Sequence, residues 1–352
     1  MSEAAVTNGT PASGDAPILQ LDDIHVSFAG RVGLGAGLLG KKATEARAVD
    51  GVSLQLQKGE ILALAGESGC GKTTIARVIM GLEKPKQGTV LYEGAPIWAD
   101  LRAYRRKVQM VFQDPTGALN PRQTIYESVA EGLRIHSVPG SERDRVAKAL
   151  SDAGLRPPDR FFLKYPHELS GGQRQRVVIA GALALEPHMI VADEPVSNLD
   201  ASVRGEILAL LMELRERLSL TILVVTHDLG LAWTIADRVA VMYLGRIVEI
   251  GPAEEVLLRP NHPYTKALLD VVPEAGGLSR PILQGEPPDP TRIPPGCRFH
   301  PRCPVVSSGR ADELGIEGKC KREDLGLLER SPMHLAACYS PTADGSLPSS
   351  TA

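Results

Sequence analysis

A glycine-rich segment places the strongest constraint on the fold. Residues 66–74 read "GESGCGKTT" and fit the pattern G-x-x-x-x-G-K-[ST], between a strand-like run (52–66) and a helix-like run (73–82). Glycines let backbone N–H groups point inward around a phosphate, and the start of the following helix adds the positive end of its dipole. Lys72 can then reach the β- and γ-phosphates, and Thr73 can ligate magnesium. A glycine-rich turn with an incidental lysine is the alternative, but the strand–turn–helix context disfavours it. The segment therefore predicts a nucleotide phosphate site.

A pair of acidic residues follows another strand-like run. In "MIVADEP" (189–195), four apolar residues precede Asp193 and Glu194. Ligands of open α/β sheets bind at the carboxyl ends of the strands, so both carboxylates are expected beside the phosphate site. There Asp193 would hold magnesium through its hydration shell, and Glu194 would polarise the attacking water. Alone, the pair is more simply interpreted as two solvated acids. Together with the glycine-rich segment, it predicts nucleotide hydrolysis.

Strand-like and helix-like runs alternate along the chain, which predicts an α/β fold with a parallel sheet. Buried-strand patterns occupy 188–195 and 220–228. The pattern of 239–251 predicts a closing β-hairpin with Gly245 at its turn.

Between about 120 and 185 the pattern is mostly helical, and Ser141 and Gly154 are the predicted start and stop signals of one helix. After residue 251 the composition shifts, and the Pro- and Gly-rich stretch 273–304 predicts a loop-rich second unit. The segment 29–48 has no clear periodicity and predicts an insertion or a mobile loop.

Composition excludes several other classes of protein. The 352 residues carry a net charge of −3, so the chain has no broad basic field for nucleic acid. The first residues lack the basic and apolar regions of a signal peptide, and the apolar runs are too short to span a bilayer. These features predict a cytoplasmic protein whose five cysteines stay reduced.

A third motif, "LSGGQ" (169–173), opens an arginine-rich helix-like run. Ser170, Gly171 and Gly172 form a second phosphate-facing helix start, yet one nucleotide needs only one glycine-rich loop. The simplest account is that this helix start serves the nucleotide of a second, facing subunit. With this motif, the chain resembles the ATP-binding-cassette (ABC) ATPases.

The resemblance extends to three further motifs. Gln113 in "VFQDP" is similar to the Q-loop glutamine of the family, and His227 in "VVTHD" is similar to its switch histidine. The segment "SNLD" (197–200) resembles the D-loop, with Asn198 in place of the usual alanine. The resemblance implies that His227 contacts the γ-phosphate and that Gln113 senses it and relays its state to a docked partner.

Phe28 falls where the family stacks an aromatic ring on adenine, and the alternative is that its ring only packs the first strand.

The resemblance implies catalytic roles for Glu194, His227 and Gln113, and magnesium ligation by Thr73, Gln113 and Asp193. The residues implied in ATP binding are Phe28, Gly66, Glu67, Ser68, Gly69, Cys70, Gly71, Lys72, Thr73, Thr74, Gln113, Ser170, Gly171, Gly172, Gln173, Asp193, Asp200 and His227. Cys70 has two interpretations, a small residue that fits the loop or a redox control point, and the first is favoured.

The implied fold is a P-loop NTPase with a RecA-like parallel-sheet core, an antiparallel β subdomain and an α-helical signature subdomain. The implied cofactors are ATP and Mg²⁺. In this family two ATPases close around two ATP molecules, and hydrolysis lets the halves part.

The tail indicates the branch of the family. Residues 261–273 ("NHPYTKALLDVVP") and 285–304 ("GEPPDPTRIPPGCRFHPRCP") resemble the C-terminal extension of dipeptide/oligopeptide and related nickel importer ATPases. The stretches 46–54 and 165–176 also match that branch. The segment "LSGGQRQR" (169–176) together with "DEPVS" (193–197) resembles the second of its two ATPase subunits. The implied partners are a second ABC ATPase subunit, two transmembrane permease subunits and an extracytoplasmic substrate-binding protein, with no nucleic acid. The implied location is the cytoplasmic face of the cell membrane, through the permease subunits.

Peptides are the cargo that the branch implies, with nickel chelates or oligosaccharides as alternatives. A soluble ABC protein acting on ribosomes or DNA is a rival, but the chain has one glycine-rich loop and no sustained heptads. A P-loop kinase or GTPase is another, but no N-K-x-D element is present and "LSGGQ" has no role there.

The expected domain organisation has four parts. A disordered start (1–15) precedes an ABC nucleotide-binding domain (16–252), whose helical subdomain covers about 114–182. A C-terminal regulatory extension (253–342) and a disordered tail (343–352) follow.

Four tail cysteines are Cys297, Cys303, Cys320 and Cys338, separated by five, sixteen and seventeen residues. This spacing is not the paired C-x-x-C of a zinc ribbon. Matching extensions carry four cysteines in this order, and some members hold a [4Fe–4S] cluster there, so the resemblance raises that cluster as a hypothesis. Zinc and simple buried thiols are the alternatives.

Overall fold

The structure is a computed structural model that describes residues 16–29, 45–270, 283, 285–340 and 342–345. Two sheets form its framework, one of four strands and one of eight. None of the helices in these ranges is both long and apolar enough to cross a membrane.

The strands of the described residues are numbered in chain order. They are β1 (Leu19–Ala29), β2 (Glu45–Leu56), β3 (Ile61–Ala65), β4 (Gln87–Tyr92), β5 (Ala95–Pro96), β6 (Val108–Val111), β7 (Met189–Asp193), β8 (Thr221–Thr226), β9 (Arg238–Tyr243), β10 (Arg246–Pro252), β11 (Leu328–Ser331) and β12 (His334–Ala336).

The α-helices of the same residues are numbered likewise. They are α1 (Lys72–Ile79), α2 (Leu101–Lys107), α3 (Pro115–Ala118), α4 (Ile125–Ile135), α5 (Glu142–Asp152), α6 (Gly171–Leu183), α7 (Ala201–Leu218), α8 (Leu229–Ile235), α9 (Ala253–Leu258), α10 (Pro263–Leu269), α11 (Pro304–Ser307), α12 (Arg310–Glu313) and α13 (Glu317–Arg322). Short 3-10 helices lie at Ile97–Ala99, Pro158–Arg160, Pro166–Glu168 and His300–Arg302.

The larger sheet has the strand order β11-β12-β10-β9-β3-β8-β7-β6. Strands β9, β3, β8, β7 and β6 run parallel, and β10 pairs antiparallel with β9 across the Gly245 turn. Every residue of β3, β7 and β8 is buried, which explains why their sequences are unbroken apolar runs. The predicted parallel core and closing hairpin are confirmed. Because these strands are parallel, the residues that follow β3, β7 and β8 meet at one edge of the sheet.

The smaller sheet is antiparallel, with the strand order β2-β1-β4-β5. Its β1 strand buries alternating apolar residues, including Leu19 and Leu21, in a cluster that also contains Ile75 and Ile79 of α1. The helix that follows the glycine-rich segment is therefore packed between the two sheets.

Helices α3 to α6 lie between β6 and β7 in the sequence, and α4, α5 and α6 share one apolar core with the parallel sheet. Ser141 begins α5 as its N-cap, because its hydroxyl accepts a hydrogen bond from Asp144 N at 3.3 Å. Gly154, with φ of 78°, follows the end of the same helix. Both predicted helix signals are confirmed.

The C-terminal extension adds to the larger sheet. Strand β12 pairs with β10, and β11 then pairs with β12. One apolar cluster joins cassette residues such as Val241 and Tyr243 to extension residues such as Phe299 and Val305. The loop-rich composition of the tail gave no signal that its last strands continue the cassette sheet.

A buried carboxylate secures this junction. Glu249 of β10 and His334 of β12 are both fully buried, and Glu249 Oε1 lies 2.7 Å from His334 Nε2. The same carboxylate accepts hydrogen bonds from the backbone N–H groups of Asn261 (2.6 Å) and His262 (3.0 Å). A buried carboxylate requires such partners, so the start of α10 and strand β12 are tied to one point on β10.

Several sequence predictions fall wholly or partly outside the described residues. The predicted disordered start (1–15) lies outside them, as do residues 30–44 of the predicted insertion, whose two ends belong to β1 and β2. Of the predicted disordered tail, 346–352 lies outside the described residues. Residues 343–345 instead lie in a turn in which Gly345 O accepts a hydrogen bond from Arg310 Nε at 3.0 Å.

A buried histidine at the junction predicts how its stability depends on pH. Burial lowers the pKa of His262 from 6.5 to about 3, and its Nδ1 accepts a hydrogen bond from Tyr264 N at the start of α10. Between these pH values the unfolded chain binds more protons, so the free energy of unfolding falls as pH drops below 6.5. We expect His262→Asn, which keeps an N-cap acceptor without titrating, to remove about 2 kcal/mol of the loss between pH 7 and pH 5.

Urea denaturation of both proteins at the two pH values is the measurement. Other titrating groups contribute equally to both proteins, so the difference isolates His262. An identical pH dependence in the two proteins would contradict this assignment.

Candidate functional site

The glycine-rich segment 66–74, called the phosphate loop below, connects β3 to α1. Two of its glycines are required by close backbone contacts. At Gly71, with φ of 113°, a Cβ atom would lie 2.2 Å from Ala48 O of β2. At Gly66, with φ of 149°, it would lie 2.2 Å from Met242 O of β9. The loop is therefore pressed against strands of both sheets, and no side chain fits at either position.

Lys72 lies inside the phosphate loop, and the residue is 5% exposed. Its Nζ donates hydrogen bonds to Gly66 O at 2.7 Å and Glu67 O at 2.9 Å. These backbone carbonyls hold the Lys72 ammonium at the loop, where phosphate oxygens can replace them as hydrogen-bond acceptors.

Asp193 ends β7, is 6% exposed, and has a buried Oδ1 atom with no hydrogen-bond partner among the described residues. Burial raises the pKa of Asp193, and the neighbouring Glu194 raises it further, while a hydrogen bond from the Thr73 side chain lowers it. A buried oxygen that lacks a donor beside a hydroxyl oxygen matches the oxygen ligands that Mg²⁺ prefers. Asp193 and Thr73 therefore fit a magnesium ion.

Three predicted catalytic residues meet beside the phosphate loop. Glu194 Oε2 accepts a hydrogen bond from Gln113 Nε2 at 2.7 Å, and Glu194 Oε1 lies 3.0 Å from His227 Nδ1. The three residues follow β6, β7 and β8, so the parallel strands bring them together. Glu194 has φ of 46°, a left-handed conformation that costs a non-glycine residue about 1–3 kcal/mol. Its N–H donates to Val225 O at 2.9 Å, which helps to hold that conformation.

An open cavity of about 570 Å³ lies over these groups. The residues that line it are Ala48, Ser68, Gly69, Gly71, Lys72, Thr73, Thr74, Gln113, Glu194, Ser197, Asn198 and His227. Most of the predicted site residues of the loop and strand ends are brought together here. Ala48 is an addition that no motif signals, because only the packing of β2 against the loop places it there.

The "LSGGQ" residues do not line this cavity. Ser170 is the N-cap of α6, and it forms a reciprocal capping box with Gln173, in which Gln173 N donates to Ser170 Oγ at 3.3 Å. Gly172 packs against α7, where a Cβ would lie 2.6 Å from Val203 Cγ1. Arg174 donates to Thr116 Oγ1 at 3.1 Å, which links the same helix to α3 beside Gln113. The signature motif thus forms a partly exposed helix start that does not line the phosphate-loop cavity of its own chain.

Asp200 also lies outside the cavity, as the exposed N-cap residue of α7. Phe28 is exposed near the end of β1 and is paired with Ala46 of β2. Ala48, two residues further along β2, lines the cavity. The pairing of β1 with β2 shifts between Val26–Val49 and Ser27–Arg47, so Ala48 lies at a β-bulge on the same strand as Ala46.

Contacts from the C-terminal extension to the phosphate loop were not predicted. Glu67 N donates to the Tyr264 hydroxyl at 2.8 Å, and the Glu67 carboxylate accepts hydrogen bonds from Arg302 at 2.7 and 3.0 Å. Both partners belong to the tail motifs "NHPY" and "HPRCP", which the sequence analysis used only to identify a branch. Both motifs are visible in the sequence, but the sequence does not show that they contact Glu67.

Cys70 is buried within the phosphate loop, and burial raises the pKa of its thiol. Its Sγ atom lies 3.8 Å from Lys72 Nζ. A buried, protonated thiol agrees with the interpretation of Cys70 as a small residue that fits the loop.

The four tail cysteines lie near one another in the extension. Cys303, Cys320 and Cys338 are buried, Cys297 is partly buried, and Cys297 N donates to Cys320 O at 2.9 Å. Within the described ranges, however, no group of three or more His, Cys, Asp or Glu side chains is placed to hold a metal ion. The arrangement therefore gives no support to the [4Fe–4S] hypothesis or to zinc.

The thiol environment predicts low reactivity. Burial raises the pKa of both Cys297 and Cys338 to about 12. At pH 7.5 these thiols are protonated, so we expect iodoacetamide to modify them at least about 100-fold more slowly than a free cysteine of pKa near 8.5. Alkylation of the native protein followed by mass spectrometry measures the rate, with the urea-unfolded protein as the control. Rapid labelling would contradict the burial, and iron and zinc analysis of the same sample separates protonated thiols from metal-bound thiolates.

Comparison with known families identifies two regions of the chain. Residues 49–197 match the family described as ABC transporter. Residues 248–309 match the family described as oligopeptide/dipeptide transporter, C-terminal region. The first region contains the phosphate loop, Gln113, Glu194 and the signature motif, and the second contains Tyr264 and Arg302.

Two curated relatives are similar along almost their whole length. The oligopeptide transport ATP-binding protein AppF of Bacillus subtilis is 41% identical over 341 residues, covering 93% of this chain and 98% of that protein. The dipeptide transport ATP-binding protein DppF of Haemophilus influenzae is 42% identical over 307 residues, covering 85% of this chain and 90% of that protein.

Solved structures share the cassette. The cbiO1 protein of Clostridium perfringens, part of the ABC transporter complex cbiONQ, has a TM-score of 0.59 at 30% identity, covering 69% of this chain and 92% of that one. The dimeric ABC transporter cassette MJ0796, in a post-hydrolysis state with ADP and phosphate, has a TM-score of 0.57 at 30% identity and covers 67% of this chain and 98% of that one. The motifs, the site geometry and these relatives agree: the chain belongs to the ABC transporter ATPases, in the group that carries the oligopeptide/dipeptide transporter C-terminal region.

Proposed function

We propose that this chain is the ATP-binding and ATP-hydrolysing subunit of an ABC importer of dipeptides or oligopeptides, of the second-ATPase-subunit type. The observation that carries the hydrolytic part is the contact of Glu194 with Gln113 and His227 at the edge of the phosphate-loop cavity. The similarity to AppF and DppF, and the matching C-terminal region, support the peptide cargo.

In the proposed reaction, Lys72 and the phosphate loop bind the β- and γ-phosphates of ATP, and the exposed ring of Phe28 stacks on adenine. Glu194 accepts a proton from the attacking water, since its carboxylate lies beside the cavity and next to a buried acid. Gln113 and His227 orient that carboxylate and approach the γ-phosphate.

Mg²⁺, when bound, neutralises charge on the phosphate oxygens. Thr73, Asp193 and Gln113 would hold it, and the buried Oδ1 atom of Asp193 that has no partner among the described residues supports this assignment. Burial raises the pKa of Asp193 and so disfavours its ionised form, and a bound cation would lower that pKa and stabilise the carboxylate.

A second ATPase subunit completes each site in this proposal. Ser170, Gly171, Gly172 and Gln173 lie outside the cavity of their own chain, so they are free to contact the nucleotide of a facing subunit. The exposed side chains of Asn198 and Asp200 would lie between the subunits. The dimeric form of the related MJ0796 cassette supports this arrangement.

The permease subunits are proposed to dock beside Gln113 and on the helical segment, which places the ATPase at the cytoplasmic face of the membrane. Phe112, next to Gln113, is exposed, and Leu163 of the helical segment is 83% exposed. Exposed large apolar groups of this kind favour burial against a partner.

An extracytoplasmic substrate-binding protein would select the cargo. Another cargo, such as a nickel chelate or an oligosaccharide, would use the same mechanism, and a soluble ABC role would leave these groups without a partner.

The proposed base predicts a hydrolysis defect with retained binding. We expect Glu194→Gln to bind ATP and to dimerise while kcat falls by about 100-fold or more, because the amide cannot accept the proton. Phosphate release and size-exclusion chromatography with ATP are the measurements.

Glu93→Gln is the matched control, because Glu93 also has a left-handed backbone (φ 49°) but pairs with Lys107, which precedes β6, whereas the catalytic residues follow β6, β7 and β8. Glu93→Gln should retain wild-type kcat. Normal turnover in Glu194→Gln would exclude Glu194 as the base.

The proposed docking face predicts selective loss of assembly. We expect Leu163→Ser to reduce co-purification with co-expressed permease subunits while the isolated subunit keeps its ATPase rate, because it removes apolar contact area only. Leu258→Ser, which changes an exposed leucine of α9, is the control and should co-purify normally. Failure of the wild-type chain to associate with any polytopic membrane protein would favour the soluble alternative.

A further inference from the structure

Two residues of the C-terminal extension hold Glu67, the second residue of the phosphate loop. The Tyr264 hydroxyl accepts a hydrogen bond from Glu67 N at 2.8 Å. The Arg302 guanidinium donates two hydrogen bonds to the Glu67 carboxylate, at 2.7 and 3.0 Å. Bidentate arginine–carboxylate pairs fix orientation as well as distance. The backbone and the side chain of Glu67 are therefore constrained together, from outside the loop.

Both extension residues are held in place by packing. Tyr264 is fully buried, and its ring centroid lies 4.6 Å from that of Tyr243 and 5.3 Å from that of Phe299. The Arg302 side chain is 5% exposed, lies over the Tyr243 ring and donates to its hydroxyl at 3.4 Å. Exposed ion pairs contribute little because both side chains remain mobile. Here the surrounding rings fix the arginine, so it can position its partner.

A second arginine of the extension reaches the middle of the loop indirectly. Arg298 donates to Leu244 O at 2.5 Å and pairs with Asp50. Gly245, which follows Leu244 in the β9–β10 turn, donates its N–H to Cys70 O at 2.8 Å. The extension thus contacts the phosphate loop directly near its start and, through the β9–β10 turn, at Cys70 in its middle.

Glu67 is linked in turn to the lysine that binds phosphate, because Lys72 Nζ donates to Glu67 O at 2.9 Å. Glu67 also places a negative charge beside a site for a triphosphate, and Arg302 balances that charge. Loss of Arg302 would release the loop and leave this carboxylate unpaired next to an anionic ligand. Both consequences weaken the binding of ATP.

We propose that Tyr264 and Arg302 are positioning residues of the nucleotide site. The extension then sets the geometry of the phosphate loop, and an intact nucleotide site requires it. The inference rests on the proposed ATPase function and adds the extension to the parts of the chain on which ATP affinity depends.

The test uses the full-length subunit and steady-state ATP hydrolysis. We expect Arg302→Ala to raise KM for ATP about tenfold, with a smaller change in kcat, because the loop cradles the phosphates before and during the reaction. Arg302→Lys should recover only part of the loss, since lysine cannot form the bidentate pair. Tyr264→Phe removes one hydroxyl from a packed ring and should raise KM by a smaller factor.

Arg310→Ala is the matched control, because Arg310 also lies in the extension but pairs with Glu313 on its own helix. Its KM should equal that of the wild type. A purely structural role for Arg302 would reduce the fraction of folded protein and hence the apparent kcat, without changing KM.

A double-variant comparison isolates the pair. Because Arg302 acts through Glu67, the increase in KM for Arg302→Ala combined with Glu67→Ala should be no larger than that of the more affected single variant. Additive increases, or a folded Arg302→Ala protein with wild-type KM, would overturn the inference. Failure of the wild-type protein to bind ATP would instead contradict the proposed function.

Discussion

Close backbone packing around the phosphate loop is the constraint on which the rest of the structure depends. Gly71 lies against Ala48 O of the antiparallel sheet, and Gly66 lies against Met242 O of the parallel sheet. A Cβ at either glycine would fall at 2.2 Å from a carbonyl oxygen, so the two sheets and the loop can only be assembled with these residues. Once assembled, α1 is fixed between the sheets, and its first residue, Lys72, is enclosed by loop carbonyls.

Parallel strands supply the second requirement, which is to bring distant residues to one point. Gln113, Glu194 and His227 follow three neighbouring strands and meet at the sheet edge beside the loop. The left-handed backbone of Glu194 is an unfavourable conformation that its hydrogen bond to Val225 O offsets in part. Asp193 is buried at this edge, and its Oδ1 atom has no hydrogen-bond partner among the described residues, so a cation would stabilise its ionised form.

The extension is integrated into the cassette at two places. Strand β12 pairs with β10, where Glu249 accepts hydrogen bonds from the extension and lies 2.7 Å from His334 Nε2. Arg302 and Tyr264 reach the phosphate loop through an aromatic cluster with Phe299. A segment dense in proline and glycine has little core of its own, so its order depends on the cassette surface. The same contacts give the cassette a dependence on the extension.

The sequence by itself determined the fold class, the parallel core and the position of Asp193 and Glu194 at the end of β7, because these follow from local patterns: apolar runs, glycine spacing and acids at strand ends. It also determined the start and stop of α5 through Ser141 and Gly154, since capping is a local interaction. Only the tertiary structure decided that Arg302 and Tyr264 contact Glu67, that Ala48 lines the cavity and that β12 extends the cassette sheet. Those contacts join residues as much as 235 positions apart, as for Arg302 and Glu67, and no periodicity or spacing encodes which distant partner a side chain will meet.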